Sequence, residues 1–150
     1  PSGRESHKAV EGDLLHKPRF HNERDVRIFR RLAKDAQLRN PKLQSIDELK
    51  RIYTEETGKT SSVHKYFVLK SGEPSNLIPA HLYKDGLRHI HYDPKQARSI
   101  TMREAARLQT FPDNFEFKGS QGDIYKMIGN AVPPLLAEKV AEAITETLLD

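Results

Sequence analysis

From Pro133 or Pro134 to about Leu149 an apolar residue returns at every fourth position: Leu136, Val140, Ile144 and Leu148. That period is a helix with one apolar stripe, and such a stripe has to be covered by something. The rest of the chain is poorly supplied to cover it. Hydrophobic residues make up 36% and there are 8 glycines in 150 residues, together short of the roughly 45–50% usual for a globular domain. The balance suits either a small lobe that leans on another body or a loosely packed independent domain. If the stripe is open, the isolated chain should self-associate or bind hydrophobic dyes.

Further upstream the helical pattern recurs. Val26, Phe29 and Leu32-Ala33 fall at helical spacing, with Arg24, Arg27, Arg30, Arg31 and Lys34 on much of the remaining surface. Asn-Pro at 40–41 breaks this helix. Ser45 opens another, with Glu48 at the capping-box position, and Gly58 closes it. Thr101 and Glu104 have the same box spacing ahead of a short helix over 102–109, which Phe111-Pro112-Asp113 ends. A short helix is expected near 122–128. Residues 65–70, KYFVLK, are a strand candidate, and residues 77–83 and 87–92 flank Lys84-Asp85-Gly86 as a hairpin or two irregular strands. Residues 1–20 read as an extended arm. The expected class is α+β, mostly helical with a few short strands.

Charge is uneven. Residues 1–70 carry 16 Lys and Arg against 10 Asp and Glu, whereas residues 71–150 carry 9 against 11. The basic half reads either as a polyanion-binding surface or as a solvated helical face. There is no cysteine, so disulfides, zinc-thiolate sites and a cysteine nucleophile within these residues are excluded. No G-x-G pair, P-loop or G-x-S-x-G elbow occurs. His89, His91 and Asp93 alternate as strand residues on one face would, which raises a metal site, but a structural or DNA-facing role for these histidines outweighs it, and no metal is expected. No apolar run reaches membrane-span length and no signal peptide is visible, so a soluble intracellular chain is expected.

Two stretches are more specific. RSITMREAARLQTFPDNFEF (98–117) and IGNAVPPLLAEKVAEAI (128–144) resemble the last two motifs, nine and ten, of DNA cytosine-5 methyltransferases, in order and at fitting separation. Residues 74–94 resemble the stretch that precedes motif nine in the target-recognition region. The resemblance implies a division at residue 97, with 1–97 as target-recognition region and 98–150 as the segment completing the catalytic domain. The whole would be the C-terminal part of a larger α/β methyltransferase fold.

The resemblance also assigns roles. Arg98, Arg103, Glu104 and Arg107 match the charged positions of motif nine and would be mainly architectural, joining the recognition domain to the catalytic one, with direct phosphate contact as the second choice. Asn130 and Ala131 match the positions of motif ten that help line the S-adenosylmethionine pocket; Ala131 stands where many members have serine, so a hydroxyl contact is missing. His81, Lys84 and Arg88 are the candidates for contact with double-stranded DNA. In this family a cysteine from a Pro-Cys motif attacks carbon 6 of a flipped cytosine, a glutamate assists at nitrogen 3, and carbon 5 takes the methyl group. Neither the Pro-Cys nor the Glu-Asn-Val motif, nor the glycine-rich cofactor loop, is present. The expected partner is therefore the catalytic N-terminal part, in the same or a separate chain. The expected setting is DNA methylation and restriction-modification in the cytoplasm, at the nucleoid if bacterial. The rival readings are a non-enzymatic basic DNA-binding module and a metal-dependent nuclease built on His89, His91 and Asp93.

Overall fold

A computed structural model describes residues 13–149, apart from His64 and Asp85. Residues 1–12 of the expected arm, and the centre of the Lys84–Gly86 turn, lie outside the described residues. After a single 3-10 turn at Leu14–His16 come five helices: α1 (Glu23–Ala36), α2 (Ile46–Thr57), α3 (Met102–Leu108), α4 (Gln121–Asn130) and α5 (Pro134–Leu149). The fold is mostly helical. The expected strands reduce, among the described residues, to two isolated bridges, Val68 with Ile90 and Ile90 with Ser99. Residues 65–70 thus form no strand beyond the Val68 bridge, and residues 77–83 run as irregular chain and turn with no bridge to 87–92, so the hairpin expected across Lys84–Gly86 is absent among the described residues.

The described residues fall in two compact units, one of 13–76 with 86–101 and one of 77–84 with 102–149. In the first unit, α1 buries Ile28, Phe29, Leu32 and Ala33 against Leu49 and Ile52 of α2 and against Tyr66, Val68, Ile90 and Ala97. Val26, counted above on the apolar face, is only half-buried at its margin. Tyr66 is fully enclosed, and burial, with Asp25 nearby, pushes its phenol up to about 12.

Local chemistry sets the helix ends. Asn22 accepts the Asp25 N–H at 2.9 Å to start α1, and Ser45 accepts the Glu48 N–H at 3.3 Å to start α2. Glu48 turns its carboxylate to Arg51. Gly58 closes α2 at φ 68°, donating to Thr54 O at 2.9 Å. A full reciprocal capping box is formed at α4, by Ser120 and Asp123.

Between α1 and α2 the chain is organised by one carboxylate. Asp35, buried in the last turn of α1, accepts from Lys42 N–H at 3.0 Å, Leu43 N–H at 2.9 Å and Gln44 Nε2 at 2.9 Å. Burial pushes its pKa up, but these hydrogen bonds outweigh it, with Arg31 assisting, and the pKa lies below the ordinary value.

In the second unit α3 packs against α4. Ile78, Leu82, Ala105, Ala106, Ile124 and Ile128 are buried. α5 is different. Leu136 is 53% exposed, Val140 50%, Ile144 54% and Leu148 79%, so the stripe read from the sequence is uncovered. No helix among the described residues is long and apolar enough to cross a membrane.

Candidate functional site

The segment entering α3 is held from behind. Arg98 is buried, and its guanidinium donates to Ser99 O at 3.0 Å and to Gln96 Oε1. Ser99 N–H donates to His21 Nε2 at 3.2 Å, and the Ser99 hydroxyl lies 3.0 Å from the same nitrogen. His21 meets Phe29 edge-on, with ring centroids 4.9 Å apart. Thr101 is also buried, its hydroxyl 3.3 Å from His16 Nδ1. Two histidines ahead of α1 are thereby keyed to residues some 80 positions later.

His89 and His91 share this framework. The His91 N–H donates to Arg98 O and the Ile100 N–H to His89 O, both at 2.9 Å. Both imidazoles are buried, and His91 Nδ1 accepts the Asp93 N–H at 3.1 Å. Among the described residues no three His, Cys, Asp or Glu side chains are placed to hold a metal ion.

Within α3, Arg103 is buried, Glu104 half-buried and Arg107 exposed. Arg107 forms a two-pronged ion pair with Asp113, Nε to Oδ1 at 2.7 Å and Nη2 to Oδ2 at 3.0 Å. The aromatic-Pro-Asp turn closes back on its own helix through that carboxylate. With both partners more than half exposed, the pair contributes little to stability.

The end of α3 carries strain. Thr110 sits at φ 62°, a region that a β-branched side chain disfavours. Its N–H donates to Arg107 O and the Phe111 N–H to Ala106 O, both at 2.9 Å, which is the Schellman closure of a helix. Glycine would ordinarily fill this position. The threonine hydroxyl accepts the Leu135 N–H at 3.1 Å, a donor in the first turn of α5 that has no partner within its own helix. Thr110→Val keeps the strain and removes the cap, and should lower stability by about 1 kcal/mol. Thr110→Gly trades one for the other and should melt above the valine variant. Thermal unfolding of the two decides it.

The residues proposed to face cofactor sit at the junction of α4 and α5. Asn130 is the last residue of α4 and is exposed; Ala131 is half-buried with extended backbone at φ −77° and ψ 147°. Gln109 Nε2 donates to Ile128 O at 3.0 Å and more weakly to Ala131 O at 3.5 Å. Gly129 packs on the Pro79 carbonyl so closely that a Cβ would come within 2.5 Å of it. The junction is fixed from three directions, by Gln109, Pro79 and Thr110. An exposed amide followed by a small residue can bind one edge of a polar ligand. The sequence holds no G-x-G loop to complete an enclosure around such a ligand, so the fit to S-adenosylmethionine is partial.

His81 and Lys84 are exposed in the second unit, and Arg88 is exposed in the first. Lys84 Nζ lies 5.5 Å from the Tyr83 ring centroid, and Lys126 of α4 approaches the same ring at 6.0 Å. Lys126 carries no signal in the sequence, because its place beside Tyr83 is purely spatial. Arg88, with Phe67, Lys70 and Asn76, lines a cavity of about 440 Å³.

Comparison with known proteins gives the family. The family model for C-5 cytosine-specific DNA methylases matches residues 5–146, and the chain belongs to that family, whose methyl donor is S-adenosylmethionine. Among its relatives, the type II methyltransferase M.Bpa9945I of Bacillus paralicheniformis is 48% identical over 71 residues, 47% of this chain and 16% of the relative. The DNA (cytosine-5-)-methyltransferase M.ApeKI of Aeropyrum pernix is 52% identical over 77 residues, 51% of this chain and 16% of that one. The type II methyltransferase M.AquIB of a Picosynechococcus strain is 43% identical over 96 residues, 57% of this chain but 66% of the relative. The chain thus spans under a fifth of the first two relatives, while M.AquIB is a chain of about its own size. No solved structure matches.

Proposed function

We propose that this chain is the C-terminal part of a DNA cytosine-5 methyltransferase, with 1–97 recognising target DNA and 98–150 completing the catalytic domain. The catalytic N-terminal part, in the same or a separate chain, supplies the rest of the α/β fold. The observation that carries the reading is α5, whose apolar stripe is half or more exposed along its length in a member of this family. The absence of cysteine supports it, since the family's nucleophile then has to come from outside these residues. The size of M.AquIB supports a separate subunit as one form of the arrangement.

In this reading S-adenosylmethionine supplies an electrophilic methyl group when bound. Asn130 offers its amide to that ligand, and Ala131 forms an apolar edge beside it. Arg98, Arg103 and Glu104 hold the recognition region to the catalytic one, and Arg107 holds the turn at Asp113. His81, Lys84 and Arg88 face duplex DNA, and a cytoplasmic setting goes with the reading of a DNA-modifying enzyme.

Methyl transfer from labelled S-adenosylmethionine to a cytosine-containing duplex tests the proposal. The chain alone should transfer nothing. Mixed with a family catalytic part truncated ahead of motif nine, it should restore transfer. Transfer by the chain alone, or no association with any catalytic part, overturns the reading. The open stripe adds a simpler check: the isolated chain should bind a hydrophobic dye or self-associate, and a dye-silent monomer would mean that the stripe is covered.

A further inference from the structure

The cations of α1 are not equivalent. At 3.6 residues per turn, Arg27, Arg30, Arg31 and Lys34 fall on a stripe about 100° wide, opposite the buried Ile28, Phe29, Leu32 and Ala33. Two of the five basic side chains of the helix are spent within the fold. Arg24 pairs with Asp25 at 2.9 Å, and Arg27 reaches Glu56 of α2 at 2.8 Å. Arg30, Arg31 and Lys34 are exposed and, among the described residues, make no ion pair or side-chain hydrogen bond. Arg31 is near enough to Asp35 and Glu48 to lower their pKa values, but both carboxylates are committed elsewhere, to the 42–44 segment and to Arg51.

Leaving three like charges together on one helix face is unfavourable by itself. It is relieved by an external polyanion. We infer that Arg30, Arg31 and Lys34 form a phosphate-tracking face of α1 that binds the backbone of duplex DNA, independent of sequence. The inference rests on the proposed DNA-recognition role and names a surface for it. From Arg30 to Lys34 the face extends about 6 Å at 1.5 Å per residue, and duplex DNA presents about one charge per 1.7 Å of axis. The face is therefore long enough to meet several phosphates. Arginine forks suit phosphate oxygens, and Lys34 adds a point charge. Such interactions set affinity and register and leave base reading to other residues.

The test is fluorescence anisotropy of the full 150-residue chain with a labelled duplex over a series of salt concentrations. The variant Arg30→Ala/Arg31→Ala/Lys34→Ala places the best helix former at three exposed sites, and far-UV circular dichroism and melting verify its fold. Its slope of log affinity against log salt should be shallower by about 2–3, at roughly 0.9 for each phosphate no longer neutralised. Arg30→Lys/Arg31→Lys should keep the slope. A control of equal charge change, Lys59→Ala/Lys95→Ala/Lys118→Ala, should also stay near the parent. An unchanged slope in the α1 variant, or an equally shallow slope in the control, overturns the inference. So does a parent chain without salt-dependent duplex binding, and the methyl-transfer reconstitution then reports separately on the proposed function.

Discussion

Asp35→Ala should destabilise the chain by about 3 kcal/mol, because three donors are deprived of a charged acceptor at once and two are backbone groups with no alternative in the fold. Asp35→Asn should recover part of this stability, since it returns one acceptor oxygen while directing an NH₂ group at an N–H donor. Chemical denaturation of the three proteins measures it. The pH dependence has a definite sign. The folded-state pKa of Asp35 lies below its ordinary 3.8. Its contribution is therefore complete above the unfolded-state pKa and is lost as pH falls through the lower folded value. The parent should lose stability on acidification below about pH 4, where unfolded aspartates take up protons. In Asp35→Asn that part of the acid sensitivity should be missing.

Gly129→Ala should cost about 3 kcal/mol, at the upper end for overpacking. An alanine inside a helix is ordinarily better than glycine by roughly 1 kcal/mol, so the expected sign is reversed. The reason is the partner. The added Cβ would meet Pro79 O at 2.5 Å, and Pro79 C and Ala80 Cα at 3.2 Å, all of them backbone. No rotamer change relieves that overlap. Gly122 in the same helix has only Ser120 Oγ at 3.9 Å, and Gly122→Ala should be neutral or stabilising. Melting the two alanine variants side by side checks the contrast. Similar melting temperatures would mean that residues 79–80 yield more readily than their position suggests. If the junction positions Asn130 and Ala131 for cofactor, Gly129→Ala should also impair reconstituted methyl transfer.

Much of the helical content is legible in the sequence because its signals are local. Ser45 and Gly58 act at the ends where their chemistry places them, and the four-residue repeat from Leu136 marks α5 correctly. The expected strands fail for a physical reason. Residues 65–70 have strand composition, but a strand exists only when a second segment lies in register beside it, and here Val68 alone finds a bridge. The capping box expected at Ser45 and Glu48 forms only by half, since Glu48 has a stronger partner in Arg51. The box at Ser120 and Asp123 is hidden from the sequence pattern because an aspartate stands where glutamate or glutamine is usual.

The candidate site divides in the same way. Motifs nine and ten are contiguous and identify the family from residues alone. Their supports are not contiguous: His21 under Ser99, Pro79 against Gly129, and Thr110 at the start of α5. The sequence by itself determined where the helices run, which family the C-terminal half resembles and that no cysteine nucleophile is available. Only the tertiary structure decided which charges are free, which glycine cannot be replaced and that the α5 stripe is uncovered. Helix period and caps depend on neighbours a few residues away, whereas burial and ion pairing depend on groups the chain brings together from tens of residues apart.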